Sequence, residues 1–319
     1  MPTLTAVPGV SVGHAHDLTA LTGCTVAIFP PETVGAVDVR GGAPGTRETD
    51  LLAPHAMVQH IDAICLAGGS AYGLAAASGV MEWLREQGRG FDVRVTRVPI
   101  VPAAVLFDLA LGSPNHWPDP AMGYAACQHA SCAPVQEGCV GAGTGAAVGK
   151  LLGIQQATKG GIGSAAITLA DGTVLAALVA TNAFGDVRRA SDDQILAGAR
   201  LPNGGFADSM RLLYHTNANL IFSGGNTTLA IVATNAKLDK ASCHKLAEMA
   251  QNGLARTIRP VHTPFDGDVV FAAATGTHPA PHLAILGSIA ADVLATAIER
   301  SVLQATALGG LPSATDCIS

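Results

Sequence analysis

A layered α/β sandwich, in preference to a doubly wound parallel sheet, is the fold class this sequence predicts. Short apolar runs of strand length outnumber what strict strand–helix alternation would supply, and several are adjacent enough to pair as hairpins. The clearest pair is "GSAAITLADGTVLAALVATN", two apolar runs around Asp171-Gly172, a dipeptide suited to a turn that needs positive φ. The composition agrees. The 319 residues are 49% hydrophobic but only 4% aromatic and 13% charged, with 37 glycines. Such a chain can bury a large core of small side chains and bring backbones close together.

In chain order, "TVAIFP" and "AICLAGG" read as short buried strands that end in turns. "GLAAASGVMEWLREQG" reads as a helix with Leu74, Val80, Met81 and Leu84 on its inner face, closed by Gly88. After the hairpin, "FGDVRRASDDQILAGARLPNGGFADSMRLLYHT" is the most polar stretch and reads as a surface excursion. "TLAIVATNAKL" is the next strand. A helix opening near Asp239 or Ser242 follows, with Leu246, Met249, Leu254 and Ile258 at helical spacing. The loop "RPVHTPFDGD", the strand "VVFAAATG" and the long helix "HLAILGSIAADVLATAIERSVLQATAL" complete the chain.

Composition also excludes function classes. With 18 Lys and Arg against 24 Asp and Glu, the net charge is −6 and no basic stripe forms, which argues against nucleic acid as a partner. No run approaches the roughly 18 apolar residues of a membrane span. The first residues, "MPTLTAVPGVSVGHAH", lack the pattern of an export signal, so a cytoplasmic location is expected. The seven cysteines form no CxxC pair and are expected to be reduced thiols. Cys127, Cys132 and Cys139, with His129, lack the paired short spacings of structural zinc, so no metal is expected.

Two motifs fail on inspection. "AGGSAYG" would be a nucleophile elbow around Ser70, but Tyr72 stands where the second glycine belongs, and a strand-to-helix turn is the better reading. "GAGTGAAVGK" misses the phosphate-loop pattern at Thr144 and Leu151. Its last residue, Lys150, is a lone cation after an apolar stretch; it either snorkels to solvent or has a buried task. Asn226-Thr227-Thr228 matches a glycosylation sequon, of no consequence without export.

The stretch "IFSGGNTTLAIVATNAKL" suggests chemistry. A threonine hydroxyl is a poor nucleophile unless a base takes its proton, and its own α-amine can be that base. The amine's reference pKa of roughly 7.7–8 leaves much of it neutral near working pH. An internal Thr227 has no free amine, so the chain would be cut immediately before it, by attack of the same hydroxyl on the Asn226 carbonyl. Ser223-Gly224-Gly225 supply a freely shaped backbone upstream, and the strand from Thr228 supplies rigidity. A plain loop before a strand is the competing reading on these residues alone.

"GGNTTLAIVATNAKL" together with "HTPFDGDVVFAAATG" resembles the L-aminopeptidase/D-esterase family of self-processing hydrolases, which includes β-peptidyl aminopeptidases and the endo-type 6-aminohexanoate (nylon) oligomer hydrolase. The likeness extends through "PGVSVGHA", "VDVRGGAPGTRETDLL", "ICLAGGSAYGL", "GAGTGAAVGK" and "VATN" to cover nearly the whole chain. The resemblance implies an α-β-β-α sandwich similar to N-terminal-nucleophile hydrolases. It also implies one domain, 1–319, cleaved into chains 1–226 and 227–319, with no cofactor. It places the nucleophile on Thr227 and the scissile carbonyl on Asn226. Asp266 and Asp268 would hold the threonine's amine and hydroxyl; Lys150 and Asn182 would donate to the oxyanion or nucleophile. A family tyrosine falls on Phe107, which cannot donate, so Tyr72 is a candidate substitute. Relatives assemble as tetramers or larger. Thr227 with the two aspartates follows the nylon-oligomer branch, whereas "RGGAPGTRETDLL" looks like the bacterial aminopeptidases. The expected function is therefore an amidase of short peptides, peptide amides or esters, with amide-oligomer hydrolysis as the alternative. Acyl transfer of the ornithine acetyltransferase kind and an uncleaved binding module are more distant readings.

Overall fold

The computed structural model describes residues 1–215 and 225–318, so Ser223 and Gly224 of the expected upstream loop lie outside the described residues. The strands that frame the site are β1 (Ser11–Asp17), β2 (Thr22–Ile28), β3 (Val34–Val39), β4 (Thr46–Arg47), β5 (Ala63–Ala67), β6 (Ala103–Val105), β7 (Ile162–Thr168), β8 (Val174–Asn182), β9 (Thr227–Ala236) and β10 (Val269–His278). The main helices are α1 (Ala76–Glu86), α2 (Pro120–Gln128), α3 (Lys240–Thr257) and α4 (Leu283–Leu303).

Two five-stranded sheets result, in the orders β1-β2-β5-β6-β4 and β7-β8-β9-β10-β3. The β5–β6 and β9–β10 pairs are parallel; their other neighbours run antiparallel. Strand periodicity sorts the side chains into layers. On β8, Leu175, Ala177 and Val179 pack with Leu246 and Leu254 of α3 and Leu286 and Leu294 of α4. Their alternates Ala176, Leu178 and Ala180 join Ile64, Leu66, Leu229 and Phe271 between the sheets. The first sheet turns Val26, Cys65 and Ala67 outward onto Val80 and Leu84 of α1 and Cys127 of α2. The order is thus helices, sheet, sheet, helices, the α-β-β-α sandwich expected. Because β8 and β9 are covered on both faces, every residue of each is buried and the two read as near-continuous apolar runs.

Local signals act as read. Asp239 caps α3 by accepting from the Ser242 amide at 2.7 Å. Gly172, at φ +90°, closes the β7–β8 hairpin. Helices α1 and α2 meet on glycine: a Cβ at Gly79 would lie 1.7 Å from the Pro120 carbonyl oxygen. Helix α4 stops at Leu303, short of the "ATAL" expected to extend it.

The polar stretch from Phe184 is a surface excursion only in part. Its strands Asp186–Arg188 and Ile195–Ala197 are largely buried and form a small sheet with Ile258–Arg259. Burial is possible because the Asp186 carboxylate accepts from the Ala199 amide and from the Ser209 amide and hydroxyl. Among the described residues no helix is long and apolar enough to cross a membrane, and no cluster of metal-ligating side chains forms.

Candidate active site

The antiparallel register pairs Asn182, the last residue of β8, with Thr227, the first of β9. On the other side, Asn226 bridges Asp266 just before β10 begins. Sheet pairing alone therefore gathers Asn182, Thr227 and the Asp266–Asp268 turn at one end of the second sheet. Two further groups arrive from elsewhere. Lys150 follows Gly149, which takes φ +70°, and Phe107 follows β6 of the first sheet.

The Lys150 ammonium does not snorkel. It donates to Asn182 Oδ1 at 2.7 Å, the Asn182 carbonyl at 3.1 Å and the Gly225 carbonyl at 3.2 Å. Burial pushes its pKa down to about 7, against the opposing pull of the Asp266 and Asp108 carboxylates. Asn182 is fixed at both ends of its amide. Its Oδ1 also accepts from the Ala147 N–H at 3.0 Å, and its Nδ2 donates to the Phe107 carbonyl at 2.9 Å and approaches the Gly225 carbonyl at 3.4 Å.

Thr227 is buried, and its hydroxyl donates to the Asn226 carbonyl oxygen at 2.5 Å. That hydroxyl is thereby held against the bond that sequence reasoning marks for cleavage. That carbonyl also accepts from the Gly267 N–H at 2.8 Å. Asp266 accepts from the Thr263 amide at 2.8 Å and hydroxyl at 2.6 Å. Burial, reinforced by the neighbouring Asp268 charge, raises its pKa above the usual carboxylate range. Asp268 accepts from the Thr228 N–H at 2.7 Å on one oxygen. On the other it accepts from the His262 N–H at 3.1 Å and lies 2.9 Å from His262 Nδ1. Its grip thus falls on the residue after Thr227.

Two cavities open here, of about 230 Å³ and about 220 Å³. Phe107, Gly225 and Asn226 wall both. The first reaches Asp108, Leu111, Lys150 and Ile154; the second exposes Thr227 between Pro44, Ser70 and Phe265. The Phe107 ring lies where a side chain on Gly225 would stand, 2.3 Å from its Cβ position. Tyr72 walls neither cavity; the residue is 60% exposed and its ring stacks on that of Trp117 with centroids 4.4 Å apart. Ser70 opens the expected strand-to-helix turn, with Gly69 at φ +79°.

Sequence reasoning missed four contributors. Gly267 sat unnoticed between the aspartates, and His262 stood four residues before the first of them in "HTPFDGD". Asp108 is buried beside Phe107, accepts from the Thr22 hydroxyl and the Gly69 amide, and has its pKa raised by burial. Lys159 is fully buried and donates to the Gly143, Ala146 and Gly160 carbonyls, bracing the loop that leads to Lys150. Only the adjacency of Asp108 to Phe107 and the lone lysine before Gly160-Gly161 could have drawn attention to the last two.

The arrangement can do acyl chemistry: a buried hydroxyl against a carbonyl, amide and ammonium donors around it, and carboxylates nearby. Comparison with known proteins agrees. The model of peptidase family S58 matches residues 3–315. An uncharacterised aminopeptidase of Mycobacterium leprae is 44% identical, over 98% of this chain and 93% of its own. A 6-aminohexanoate-oligomer endohydrolase of Kocuria sp. is 31% identical, over 91% of this chain and 83% of its own. Among solved structures, an L-aminopeptidase D-Ala-esterase/amidase of Ochrobactrum anthropi, described as a variant of the Ntn hydrolase fold, superposes with a TM-score of 0.72. It is 19% identical and covers 97% of this chain and 88% of that one, which speaks to the fold.

Proposed function

From the premise that this chain belongs to peptidase family S58 and is a hydrolase of amide bonds of the aminopeptidase and amidase kind, we propose that it activates itself by cutting the Asn226–Thr227 bond. It then hydrolyses short peptides, peptide amides or esters through the released threonine. The observation that carries this reading is the Thr227 hydroxyl at 2.5 Å from the oxygen of its own upstream carbonyl, on a buried strand end.

In the first reaction the Thr227 oxygen bonds to the Asn226 carbonyl carbon, the C–N bond breaks and the hydroxyl proton ends on the new amine. Water then opens the ester, leaving a carboxylate at Asn226 and restoring the hydroxyl. In turnover the free amine takes the hydroxyl proton while Thr227 attacks the substrate carbonyl, and an acyl-enzyme forms. Lys150 and Asn182, now on the Gly225 carbonyl, are the donors for the substrate's developing oxyanion. Asp268 fixes the strand end through Thr228, and Asp266 lies close enough to Lys150 to support its charge. Phe107 shapes the two cavities without donating from its ring.

In this reading the processed protein works in the cytoplasm and assembles as a homo-oligomer, the latter as the resemblance implies. A second substrate class, linear 6-aminohexanoate oligomers, is favoured by the relatives that carry that activity in their names and by the Thr227, Asp266 and Asp268 pattern. Intact mass before and after incubation tests the reading: two species corresponding to 1–226 and 227–319 are expected. Thr227→Ala should give neither cleavage nor turnover. A single full-length species with full activity would refute the proposal. Release of p-nitroaniline from amino-acid anilides, set against oligomer cleavage, decides the substrate class.

A further inference from the structure

Two successive carbonyl oxygens lead into β9, and different donors hold them. The Gly225 oxygen faces the Lys150 ammonium at 3.2 Å and Asn182 Nδ2 at 3.4 Å. The Asn226 oxygen, on the bond to be cut, takes the Gly267 N–H at 2.8 Å and the Thr227 hydroxyl at 2.5 Å. Among the described residues, Lys150 and Asn182 make no hydrogen bond to it.

We propose that the Gly267 N–H is the oxyanion donor of the self-cleavage step, so that self-cleavage and substrate turnover draw on different donors around one nucleophile. The inference rests on the reading of Thr227 given above and assigns a catalytic group to its first reaction. When the Thr227 oxygen adds to the Asn226 carbonyl carbon, the carbonyl π pair moves onto oxygen. That oxygen already points at the Gly267 amide. The C–N bond then breaks, the nitrogen receives the hydroxyl proton, and the charge collapses back to the ester carbonyl.

The donor is preorganised, which is where such a group gains most of its effect. The Asp266 carbonyl is tied to the Ala43 N–H at 2.8 Å, and the Asp268 carbonyl to the Arg40 N–H at 3.0 Å. The two backbone units flanking Gly267 are therefore pinned to the segment after β3. The residue must also be glycine. A Cβ at 267 would stand 2.7 Å from the Thr227 hydroxyl oxygen and 2.8 Å from the Ala43 carbonyl oxygen, too close for either. A side chain here would displace the nucleophile that its own N–H serves.

The test replaces Gly267 by glycolic acid in the full chain, turning its amide into an ester that lacks the N–H and leaves the Asp266 carbonyl a weaker acceptor. A matched ester at Gly310, whose Cβ direction is open, serves as control. Chain cleavage followed by intact mass should slow roughly 10²–10³-fold at position 267, the range for loss of one oxyanion donor, and stay at the wild-type rate at position 310. An ester at 267 that cleaves within about threefold of wild type, on the same scale, overturns the donor assignment alone. A wild-type chain that never yields an end at Thr227 overturns the parent reading, and the assignment with it. A second measurement does not depend on the ester chain folding. In uncut Thr227→Ala, the Gly267 amide should be protected from hydrogen exchange. In cleaved wild type that protection should be lost, while the Thr228 amide on Asp268 keeps its own. An unprotected Gly267 amide in the uncut chain overturns the proposal.

Discussion

Replacing Asp268 by asparagine removes one negative charge and one acceptor while leaving the shape intact. The wild-type carboxylate serves three donors: the Thr228 N–H on one oxygen, and the His262 N–H and ring on the other. An amide has one acceptor oxygen. If it faces Thr228, the His262 ring can offer Nδ1 as acceptor to the new NH₂, but the His262 backbone N–H then meets a donor. If it faces His262, the Thr228 N–H is orphaned. Either way one buried N–H loses its partner, a cost of about 1–3 kcal/mol. A domain of ordinary stability, about 5–15 kcal/mol, survives that. The rate should suffer more, because the charge that fixes the strand end beside the new amine is gone. A loss of roughly 10²–10³-fold, about 3–4 kcal/mol, is the scale for a preorganised polar group. Urea unfolding measures the first quantity; intact-mass time courses and anilide release measure the second. An Asp268→Asn chain destabilised by about 2 kcal/mol that cleaves and turns over at wild-type rates would reduce Asp268 to a strut.

Phe107→Tyr adds a donor on the wall shared by the two cavities and should raise kcat/KM about tenfold, the worth of one added hydrogen bond; an unchanged value means the ring position is not used in turnover. Lys150→Arg should change the shape of the pH profile. With its pKa pushed down to about 7 by burial, Lys150 loses its charge as pH rises through neutrality, whereas arginine stays charged. The alkaline limb of kcat/KM should therefore vanish in the variant, whatever its absolute rate, and a limb at the same pH in both would refute the assignment. Lys159→Met addresses stability. Burial lowers the Lys159 pKa to about 8 in the folded chain against an ordinary 10.5, so the unfolded chain binds the extra proton above pH 8 and folding stability rises with pH there. The part of the rise due to Lys159, up to about 1.4 kcal/mol per pH unit for a full proton, should be lost in the variant between pH 8 and 9, while the part due to Lys150, whose pKa burial also lowers, remains in both chains. Above that the buried thiols of Cys65, Cys127 and Cys243, held near 12, act in the opposite sense. An unchanged slope would refute it.

Much of the fold was legible because patterning and caps act locally. The β7–β8 hairpin, the Asp239 cap and the buried run of β9 follow from residues near one another in sequence. The buried strands of the polar stretch from Phe184 were missed because the burial of Asp186 depends on Ser209, 23 residues on, and no short-range pattern announces that pairing. At the site, family likeness picked out Thr227, Asp266, Asp268, Lys150 and Asn182, and the structure brings all five to one end of the second sheet. What it could not supply was the backbone. The Gly267 N–H, the Gly225 and Phe107 carbonyls and the Ala147 amide carry several of the contacts, and a backbone group has no signature in residue type. Phe107 shows the limit: judged by the hydroxyl it lacks, it looked like a loss, yet its carbonyl holds Asn182.

The same topology says what a cut before Thr227 does to the protein. The proposed small chain contributes β9 and β10, and the large chain contributes their neighbours: β8 pairs with β9 from Asn182–Thr227 to Leu175–Thr234, and β3 pairs with β10 from Val39–Val269 to Val34–Ala274. Two strands of one product are thus clamped between strands of the other. Helix α4, also from the small chain, packs Leu294 and Ile298 in the same cluster as Leu175 and Val179 of the large one. Breaking a single peptide bond at the end of β9 leaves this shared core and both ladders untouched, so the conformational entropy gained is confined to the new ends. Cleaved protein should therefore elute as one species on native size exclusion, with an unfolding midpoint close to that of uncut Thr227→Ala. The two chains should separate only in denaturant. If they part under native conditions, the interleaved sheet does not hold the processed molecule together, and the reading of one domain that survives its own cleavage fails.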